Sequence, residues 1–458
     1  MTIEPQYLIA LIPLTIIGGW RWGTWVVKVV FASRYAPIRG SVPELTTTVV
    51  TPVYDEDPDD FMSAVRSWAA GGADEIVAVI DHSDVDCIER YRAYADEHNA
   101  AELIVTETPG KRPALRDGTQ AASGDIVALV DSDVHWREDT LEHLLVSFND
   151  ENVGGVTPKQ IVKDRDTLAR IIYECQMRLQ FAFDYPALAH VSSALSCLSG
   201  RTAVYRAEAI QPVIDDLCHE TFLKKDVISG DDKFLTRAVQ ENGWDVWYQS
   251  SAVIDIGAAP DMHTLVKQTI RWTRNTIRSD LTSFYEGWVF RGENRWLAYY
   301  QLDRFVATFA ILLAPLYFIW SLANGWTVVA LAVLGWWMLS RTIKISPFLS
   351  AYPTRIWVVP VYTLASFFMS PIRLYALFSA NTQGWLTRGS DSRYGLNQLR
   401  QKAVTGVSVL LTGVTIGMFV FAAISLRYAG QSAVVGDLVT GLGEYWVREL
   451  SGVFSVGF

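Results

Sequence analysis

The fold class follows from one segment, Asp125-Ile126-Val127-Ala128-Leu129-Val130-Asp131-Ser132-Asp133, in which an apolar run stops at two carboxylates. An apolar run of this length between polar residues is typical of a strand buried in a sheet. Similar strand-like runs and helical stretches alternate before it, at residues 46–53 (strand), 59–70 (helix), 75–80 (strand), 86–98 (helix), 102–105 (strand) and 112–122 (helix). This alternation predicts an α/β domain with a parallel sheet covered by helices.

Polar residues at the ends of these runs indicate where a ligand binds. Tyr54, Asp81 and Asp131 each stand where a predicted strand ends. In open α/β sheets, ligands bind at the carboxyl ends of the strands. The sequence therefore predicts a binding site at this edge of the sheet.

Composition indicates a membrane protein with a soluble insert. Half of the 458 residues are apolar and 12% are aromatic, and the apolar residues concentrate near the start and after Leu297. The net charge of −10 argues against a nucleic-acid partner, because no basic face would balance the phosphates. The four cysteines lack C-x-x-C spacing, so we expect reduced thiols in a cytoplasmic domain.

The apolar runs predict the membrane topology. Residues 7–20 follow no cationic stretch, which favours a retained anchor over a cleaved signal peptide. The cations after this run place the next domain in the cytoplasm; they are Arg21, Lys28, Arg34 and Arg39. Later apolar runs occur at residues 305–322, 325–340, 356–371 and 403–426, and a crossing needs about 20 apolar residues.

Residues 356–371 are predicted to lie at the membrane interface. If they crossed, the cations that follow would lie outside, against the positive-inside bias; these are Arg373, Arg388, Arg393, Arg400 and Lys402. We therefore expect four crossings. The predicted units are a transmembrane anchor (1–33), a cytoplasmic domain (34–256), interfacial helices (257–304), channel helices (305–426, with an interfacial helix at 356–379 and a loop at 380–402) and a tail (427–458).

Two motifs suit a diphosphate. The carboxylates of Asp131 and Asp133 can hold a hard divalent cation that in turn binds a diphosphate. A polar turn after a strand would contain the same residues, so spacing alone leaves both interpretations open. Gly110-Lys111-Arg112 begins a helix, where a cation and free backbone amides favour phosphate; a solvated turn is the alternative.

Two further motifs suit a sugar acceptor. A carboxylate of Gly230-Asp231-Asp232 could accept a proton from an attacking hydroxyl, and one of these aspartates could instead cap the following helix. Gln268-Thr269-Ile270-Arg271-Trp272 is predicted to be helical, with an indole that suits a sugar ring and an arginine that suits phosphate. An amphipathic helix on a membrane surface would carry the same residues.

In this order, the motifs resemble those of the processive family 2 glycosyltransferases, and most closely those of the hyaluronan synthases. The resemblance covers about residues 47–388. Its general part, shared with cellulose and chitin synthases, is Thr51-Pro52-Val53-Tyr54, Gly110-Lys111-Arg112, the D-x-D and Q-x-x-R-W. Its narrower part has three motifs. The first two are Cys197-Leu198-Ser199-Gly200 with Val204-Tyr205-Arg206, and Gly230-Asp231-Asp232-Lys233-Phe234-Leu235-Thr236. The third is Pro371-Ile372-Arg373-Leu374-Tyr375-Ala376-Leu377-Phe378 followed by Trp385-Leu386-Thr387-Arg388, which are similar to the family's interfacial helix and gating loop.

The resemblance implies a Rossmann-like GT-A catalytic domain embedded in an α-helical membrane domain, with Mn²⁺ or Mg²⁺ as cofactor. Asp133 would hold the metal and Asp232 would be the general base. The implied UDP-donor contacts are Tyr54, Asp81, Lys111, Arg112, Asp131 and Arg271. The implied acceptor contacts are Cys197, Ser199, Gly200, Asp231, Gln268 and Trp272, and the implied gating-loop residues over UDP are Trp385, Thr387 and Arg388.

The implied activity is inverting transfer of alternating sugars from UDP-GlcNAc and UDP-GlcA to a nascent polysaccharide. The product would cross the lipid bilayer through a multi-pass protein of the cell membrane that needs no obligatory protein partner. Gly230-Asp231-Asp232 and Trp385-x-Thr387-Arg388 favour this activity over a single-sugar chitin-oligomer or cellulose-type synthase. A non-catalytic scaffold would have no need of the carboxylates, and a non-polymerising lipid-linked transferase agrees less well with Q-x-x-R-W and the gating loop.

Some positions depart from the family pattern. Arg201 stands where the family has proline, Leu386 replaces the glycine of the gating loop, and Lys233 replaces arginine. The N-terminus supplies one crossing where many relatives have two. These departures leave the expected reaction type intact and bear on the acceptor pocket and on the identity of the sugar.

Overall fold

The computed structural model describes residues 5–382 and 405–417. The strands are β1 (Thr47–Val53), β2 (Glu75–Asp81), β3 (Ala101–Thr106), β4 (Ile126–Val130), β5 (His135–Trp136), β6 (Val153–Val162), β7 (Thr202–Arg206), β8 (Thr221–Phe222), β9 (Lys225–Asp226) and β10 (Asp245–Ile256). The helices are α1 (Pro5–Ala32), α2 (Pro58–Ala70), α3 (Val85–Glu97), α4 (Lys111–Ala121), α5 (Thr140–Leu145), α6 (Leu168–Leu179), α7 (Tyr185–Ser192), α8 (Ala207–Ile210), α9 (Asp231–Glu241), α10 (Met262–Glu286), α11 (Arg295–Ala323), α12 (Thr327–Lys344), α13 (Ser346–Ala351), α14 (Val358–Phe378) and α15 (Thr405–Gly417).

One sheet of eight strands organises the α/β domain, in the order β3-β2-β1-β4-β7-β6-β10-β5. The four strands expected from the sequence form its first half and pair in parallel, as predicted. The second half corrects that expectation, because β7 runs antiparallel to both β4 and β6. The sheet is therefore mixed.

Close helix packing places the start of α4 above the ends of the parallel strands. A Cβ on Gly118 of α4 would lie 2.5 Å from Val50 Cγ1 and 2.9 Å from Val79 Cγ2, so a side chain there would push the helix off the sheet. Both valines are fully buried. This contact fixes the helix that begins at Lys111 against β1 and β2.

The N-terminal helix lies within the predicted anchor (residues 1–33) and extends beyond the apolar run of residues 7–20. Because α1 continues to Ala32, Arg21 and Lys28 lie inside the helix and not after it. Both cations instead bind Asp303 of α11, with Arg21 Nη1 at 2.5 Å and Lys28 Nζ at 3.3 Å from its carboxylate oxygens. These ion pairs tie α1 to α11.

Within the described residues, two helical segments are long and apolar enough to cross a membrane, judged by length and composition alone: Gly292–Ala323 and Val358–Phe378. The second contains the run that was predicted to be interfacial. Its helical state agrees with the prediction, and its placement relative to a bilayer stays a prediction. The described part of the last predicted crossing is the 13-residue helix α15.

Candidate active site

A cavity of about 930 Å³ opens where the parallel strands end and continues between the apolar helices. Every predicted site residue in the described ranges lines it, with the exception of Arg112. These residues are Tyr54, Asp81, Lys111, Asp131, Asp133, Cys197, Ser199, Gly200, Asp231, Asp232, Gln268, Arg271 and Trp272. Segments that are distant in the sequence therefore meet at one site.

Lys111 joins the two acidic motifs. Its Nζ lies 2.6 Å from Asp131 Oδ1 at the end of β4 and 3.1 Å from Asp231 Oδ2 at the start of α9. Burial alone would lower the pKa of Lys111, but Asp131, Asp231 and Asp232 raise it above the ordinary lysine value. This lysine therefore stays cationic beside the strand end.

The two carboxylates that bind Lys111 have opposite pKa shifts. Burial raises the pKa of Asp131, against the influence of Lys111. Burial also acts to raise the pKa of Asp231, but Lys111 and Arg112 outweigh it and hold that pKa below the usual range. Asp231, predicted to meet the acceptor, is thus an ion-pair partner of Lys111, and its contact with an acceptor stays a prediction.

Asp133 is the carboxylate best placed to hold a divalent metal ion. Its side chain is exposed to the cavity, and a Cβ on Gly257 would lie 3.9 Å from its Oδ2. The described ranges contain no cluster of three His, Cys, Asp or Glu side chains that could hold a metal. A Mg²⁺-type ion bound through one or two carboxylates and substrate phosphates needs no such cluster, so these residues fit the predicted ion.

The turn before α9 separates the roles of its two aspartates. Gly230 has a φ of +87°, a conformation that favours glycine, and a Cβ there would lie 3.0 Å from Asn275 Cγ. The turn directs Asp231 to Lys111, while Asp232 lines the cavity and accepts a hydrogen bond from the backbone N–H of Lys233 at 2.8 Å. Asp232 is therefore the better-placed proton acceptor.

The segment before β7 closes over the Lys111 cluster. A Cβ on Gly200 would lie 3.2 Å from Lys111 Nζ and 3.5 Å from Asp231 Oδ2, so the missing side chain leaves room for this ion pair. Cys197 is buried, and burial together with Asp232 raises the pKa of its thiol well above the usual range. The thiol of Cys197 therefore stays neutral, and its side chain is a packed part of the cavity wall near the predicted acceptor site.

Helix α10 supplies the Gln268, Arg271 and Trp272 side of the cavity. The Trp272 ring lies 5.6 Å from the Tyr173 ring at an interplanar angle of 34°. Burial lowers the pKa of Arg271, against the opposing influence of Asp231 and Asp232. An aromatic platform and a cation thus line the same cavity as the carboxylates, a combination that suits a sugar with a phosphate nearby.

Arg112 was predicted to contact the donor, but it does not line the cavity. Only 4% of this residue is exposed, and its guanidinium donates to Leu217 O (2.8 Å), Glu220 Oε2 (2.7 Å) and Ser229 O (3.3 Å). Its side chain therefore supports the loop before the Gly230 turn, and this burial is inconsistent with direct contact to a donor.

Asp81 occupies the predicted position at the end of β2. It is 5% exposed, lines the cavity and accepts a hydrogen bond from the backbone N–H of Ser83 at 3.0 Å. Tyr54 lines the same cavity just beyond β1. The predicted gating-loop residues Trp385, Thr387 and Arg388 lie outside the described residues.

Sequence reasoning did not assign several residues that shape the site. Tyr173 contacts Trp272, and its hydroxyl accepts a hydrogen bond from Arg201 Nη1 at 2.7 Å. Asn275 and Arg278 lie behind the Gly230 turn. Helical spacing in the sequence could have identified Asn275 and Arg278, because they follow Arg271 by four and seven residues and so share its helix face.

Comparisons with known proteins agree with the geometry. Residues 43–275 match the family described as glycosyltransferase like family 2. A hyaluronan synthase of Streptococcus pyogenes is 26% identical over 374 residues, which cover 79% of this chain and 88% of that protein. The NDP-glycosyltransferase ltbB of Aspergillus luteorubrus is 25% identical over 411 residues (83% and 98%), and a type 2 glycosyltransferase of Pyricularia oryzae is 24% identical over 379 (78% and 77%).

A solved structure shares the fold. The mannosyltransferase PcManGT from Pyrobaculum calidifontis, in complex with GDP-Man and Mn²⁺, aligns with a TM-score of 0.54 at 19% identity. The alignment covers 80% of this chain and 98% of the mannosyltransferase. At this identity the likeness concerns the fold, which is that of a GT-A glycosyltransferase.

Proposed function

Because the chain belongs to the glycosyltransferases of family 2, we propose that it is a membrane-embedded, processive polysaccharide synthase with hyaluronan as its product. It transfers N-acetylglucosamine and glucuronic acid alternately from UDP-GlcNAc and UDP-GlcA. Transfer takes place on the cytoplasmic face, and the polymer leaves through the helices of the same chain.

The observation that carries this proposal is the shared cavity. Four residues with proposed roles line it: Asp133 for the metal, Lys111 for the donor, Asp232 as the base and Trp272 for the acceptor. The same cavity reaches Lys344 at the end of α12, so a product can pass from the reaction site toward the apolar helices. The similarity to hyaluronan synthases over 79% of the chain supports the choice of product.

The mechanism follows from the placement of the side chains. Asp232 accepts the proton of the acceptor hydroxyl as that oxygen attacks the anomeric carbon, and this single displacement inverts the carbon. Lys111 and Arg271 line the same cavity, and their positive charge would favour the departing diphosphate. A divalent ion held by Asp133 would supply further charge neutralisation for the leaving UDP. Trp272 holds the acceptor ring against the wall formed with Tyr173.

The test uses the purified full-length chain in detergent with Mn²⁺, supplied with UDP-GlcNAc, UDP-GlcA or both. The proposal expects polymer only with both donors, and digestion of that polymer by hyaluronidase. Asp232→Asn should lose activity by about a hundredfold or more, because a proton acceptor contributes on that scale. Lys224→Asn, at an exposed position that does not line the cavity, serves as the control.

A single-sugar synthase is the second candidate. The similarity to fungal glycosyltransferases, which include an NDP-glycosyltransferase, favours it. Polymer or oligomer made from one donor alone would support this candidate and contradict the hyaluronan proposal. Full activity of Asp232→Asn would show that Asp232 is not the general base, whichever of the two products the protein makes.

A further inference from the structure

Arg278 is a buried cation whose hydrogen bonds end on neutral groups. It is 4% exposed on α10, and its guanidinium donates to Ala380 O at 2.8 Å, Ser229 Oγ at 3.2 Å and Asn275 Oδ1. Burial lowers its pKa from the usual arginine range to about 10. A buried charge held by neutral oxygens costs stability, so its position calls for an explanation.

The partners of Arg278 belong to two separate segments. Ser229 and Asn275 hold the turn that leads into α9, since Ser229 Oγ donates to Asn275 Oδ1 at 3.0 Å and Gly230 packs against that same asparagine. Ala380 lies two residues beyond the end of α14. One guanidinium thus ties the Gly230 turn to the end of α14.

The turn held in this way orients Asp231 and Asp232. Asp231 meets Lys111 at 3.1 Å, and Asp232 lines the cavity. Arg112 contacts the same turn by donating to Ser229 O at 3.3 Å, and Arg278 reaches this carbonyl at 3.5 Å. Two buried arginines therefore hold one residue, Ser229, which is separated from the acidic pair by Gly230 alone.

We propose that Arg278 is a positioning residue that sets the orientation of Asp232 through the Ser229–Gly230 turn and couples it to the end of α14. It acts through the turn and touches no substrate. The kinetic consequence rests on the proposed role of Asp232 as the base, whereas the structural consequence for the turn does not. Lysine cannot replace arginine, because only a planar fork reaches Ser229 and Ala380 together.

The chain offers a matched control one helical turn earlier. Arg274 is also buried on α10, and it donates to Ser379 Oγ at 2.9 Å and to Tyr375 OH at 3.3 Å, both near the end of α14. Its described hydrogen bonds do not involve the Ser229–Gly230 turn. Arg274→Gln therefore removes a buried arginine and its link to α14 while leaving the turn intact.

The experiment compares Arg278→Gln, Arg278→Lys, Arg274→Gln and the wild type in two measurements. The first measurement is the kcat and KM for UDP release, with both donors present and each varied in turn. The second is hydrogen–deuterium exchange of the peptide covering residues 227–234. We expect Arg278→Gln to lower kcat by about tenfold or more with KM nearly constant, because a misplaced base affects turnover and not donor binding. Exchange of the peptide should rise in Arg278→Gln and Arg278→Lys and stay at the wild-type level in Arg274→Gln.

Each outcome decides the proposal. Equal kinetic and exchange changes in Arg274→Gln would overturn it, because docking of α14 alone would then explain the effects. Wild-type kcat and exchange in folded Arg278→Gln would also overturn it. If Arg278→Gln does not fold, Ser229→Ala, which removes the Oγ contacts to Arg278 and Asn275 and keeps Arg278 in place, must show the same exchange increase. If the wild type forms no product, the proposed function fails, and the exchange comparison still decides the role of Arg278.

Discussion

At the scale of the residue, Lys111 explains why the two acidic motifs act as one site. The sequence places Lys111, Asp131 and Asp231 in separate segments with separate interpretations. In the structure they form one cluster, with Lys111 Nζ between the two carboxylates. Spacing could suggest the role of each residue, but the contact arises only because the fold brings the first residues of α4 and α9 to Asp131, just after β4.

Asp245, at the start of β10, provides a pH-dependent test of stability. Burial and the nearby carboxylates of Asp150 and Glu293 raise its pKa to about 6. Ionised Asp245 therefore destabilises the folded state above about pH 6, and this cost disappears as the pH falls and the folded state takes up the proton. Asp245→Asn should stabilise the protein by about 1 kcal/mol at pH 7.5, the pKa shift being discounted for solvent screening of a half-exposed group.

The measurement is thermal unfolding in detergent at pH 7.5 and at pH 4. We expect a Tm increase of about 1–2 °C for Asp245→Asn at pH 7.5 and a smaller one at pH 4. The control is Asp86→Asn on the exposed side of α3, which should change Tm little at either pH. A stabilisation by Asp245→Asn that is larger at pH 4 than at pH 7.5 would contradict the sign of the argument.

At the scale of the element, α10 shows what helical periodicity could have revealed. Arg271, Arg274, Asn275 and Arg278 recur at intervals of three and four residues, so they share one face. The motif ends at Trp272, and a motif-based interpretation therefore stops before the residues that hold the Gly230 turn. Strand β6 was missed for a different reason, since Gly154, Gly155 and Pro158 interrupt its apolar pattern.

The contact between α1 and α11 yields a prediction at this scale. The Asp303 side chain is 2% exposed and binds Arg21 at 2.5 Å and Lys28 at 3.3 Å. Asp303→Asn would leave two cations without this carboxylate, which should cost about 2–4 kcal/mol. Thermal unfolding in detergent should show a lower Tm, or the yield of folded protein should fall.

A surface ion pair serves as the control for Asp303. Asp166 lies 2.8 Å from Arg170, but its side chain is 66% exposed, so Asp166→Asn should change the Tm little. Equal losses in the two variants would show that the ion pairs between α1 and α11 contribute no more than a solvated pair.

At the scale of the whole molecule, the sequence predicts the sheet where its pattern is regular. The alternation of residues 46–130 gave β1 to β4 within a few residues, because each strand is a continuous apolar run and each helix is amphipathic. The antiparallel pairing of β7 was not predictable, since it depends on long-range packing of Leu198 and Tyr205 against Gly155. The motifs identified residues that line one cavity, whereas the contacts between these residues required the complete fold.

The continuity of the cavity leads to a prediction about the product. Lys344 lines the cavity at the end of α12, and its Nζ lies 5.3 Å from the centre of the Trp22 ring. Burial, Arg341, Arg21 and Lys28 lower the pKa of Lys344 to about 7. If the product is an acidic polysaccharide, its carboxylates would favour the charged form of Lys344, and that contact would retain the chain. Removing one such contact, worth about 0.5–1 kcal/mol, speeds release by about two- to fivefold. Lys344→Gln should therefore shorten the polymer by a similar factor while the initial rate of UDP release stays constant.

Gel electrophoresis of the products, together with the initial rate of UDP release, tests this expectation. Lys224→Gln is the matched control, because Lys224 is exposed and does not line the cavity. A polymer of unchanged length from Lys344→Gln would show that the helical end of the cavity does not hold the growing chain. A parallel loss of initial rate would instead place Lys344 in transfer itself. Shortening at constant rate would separate retention of the product at Lys344 from the proposed proton transfer at Asp232, because the two residues line one cavity but belong to different helices, α12 and α9.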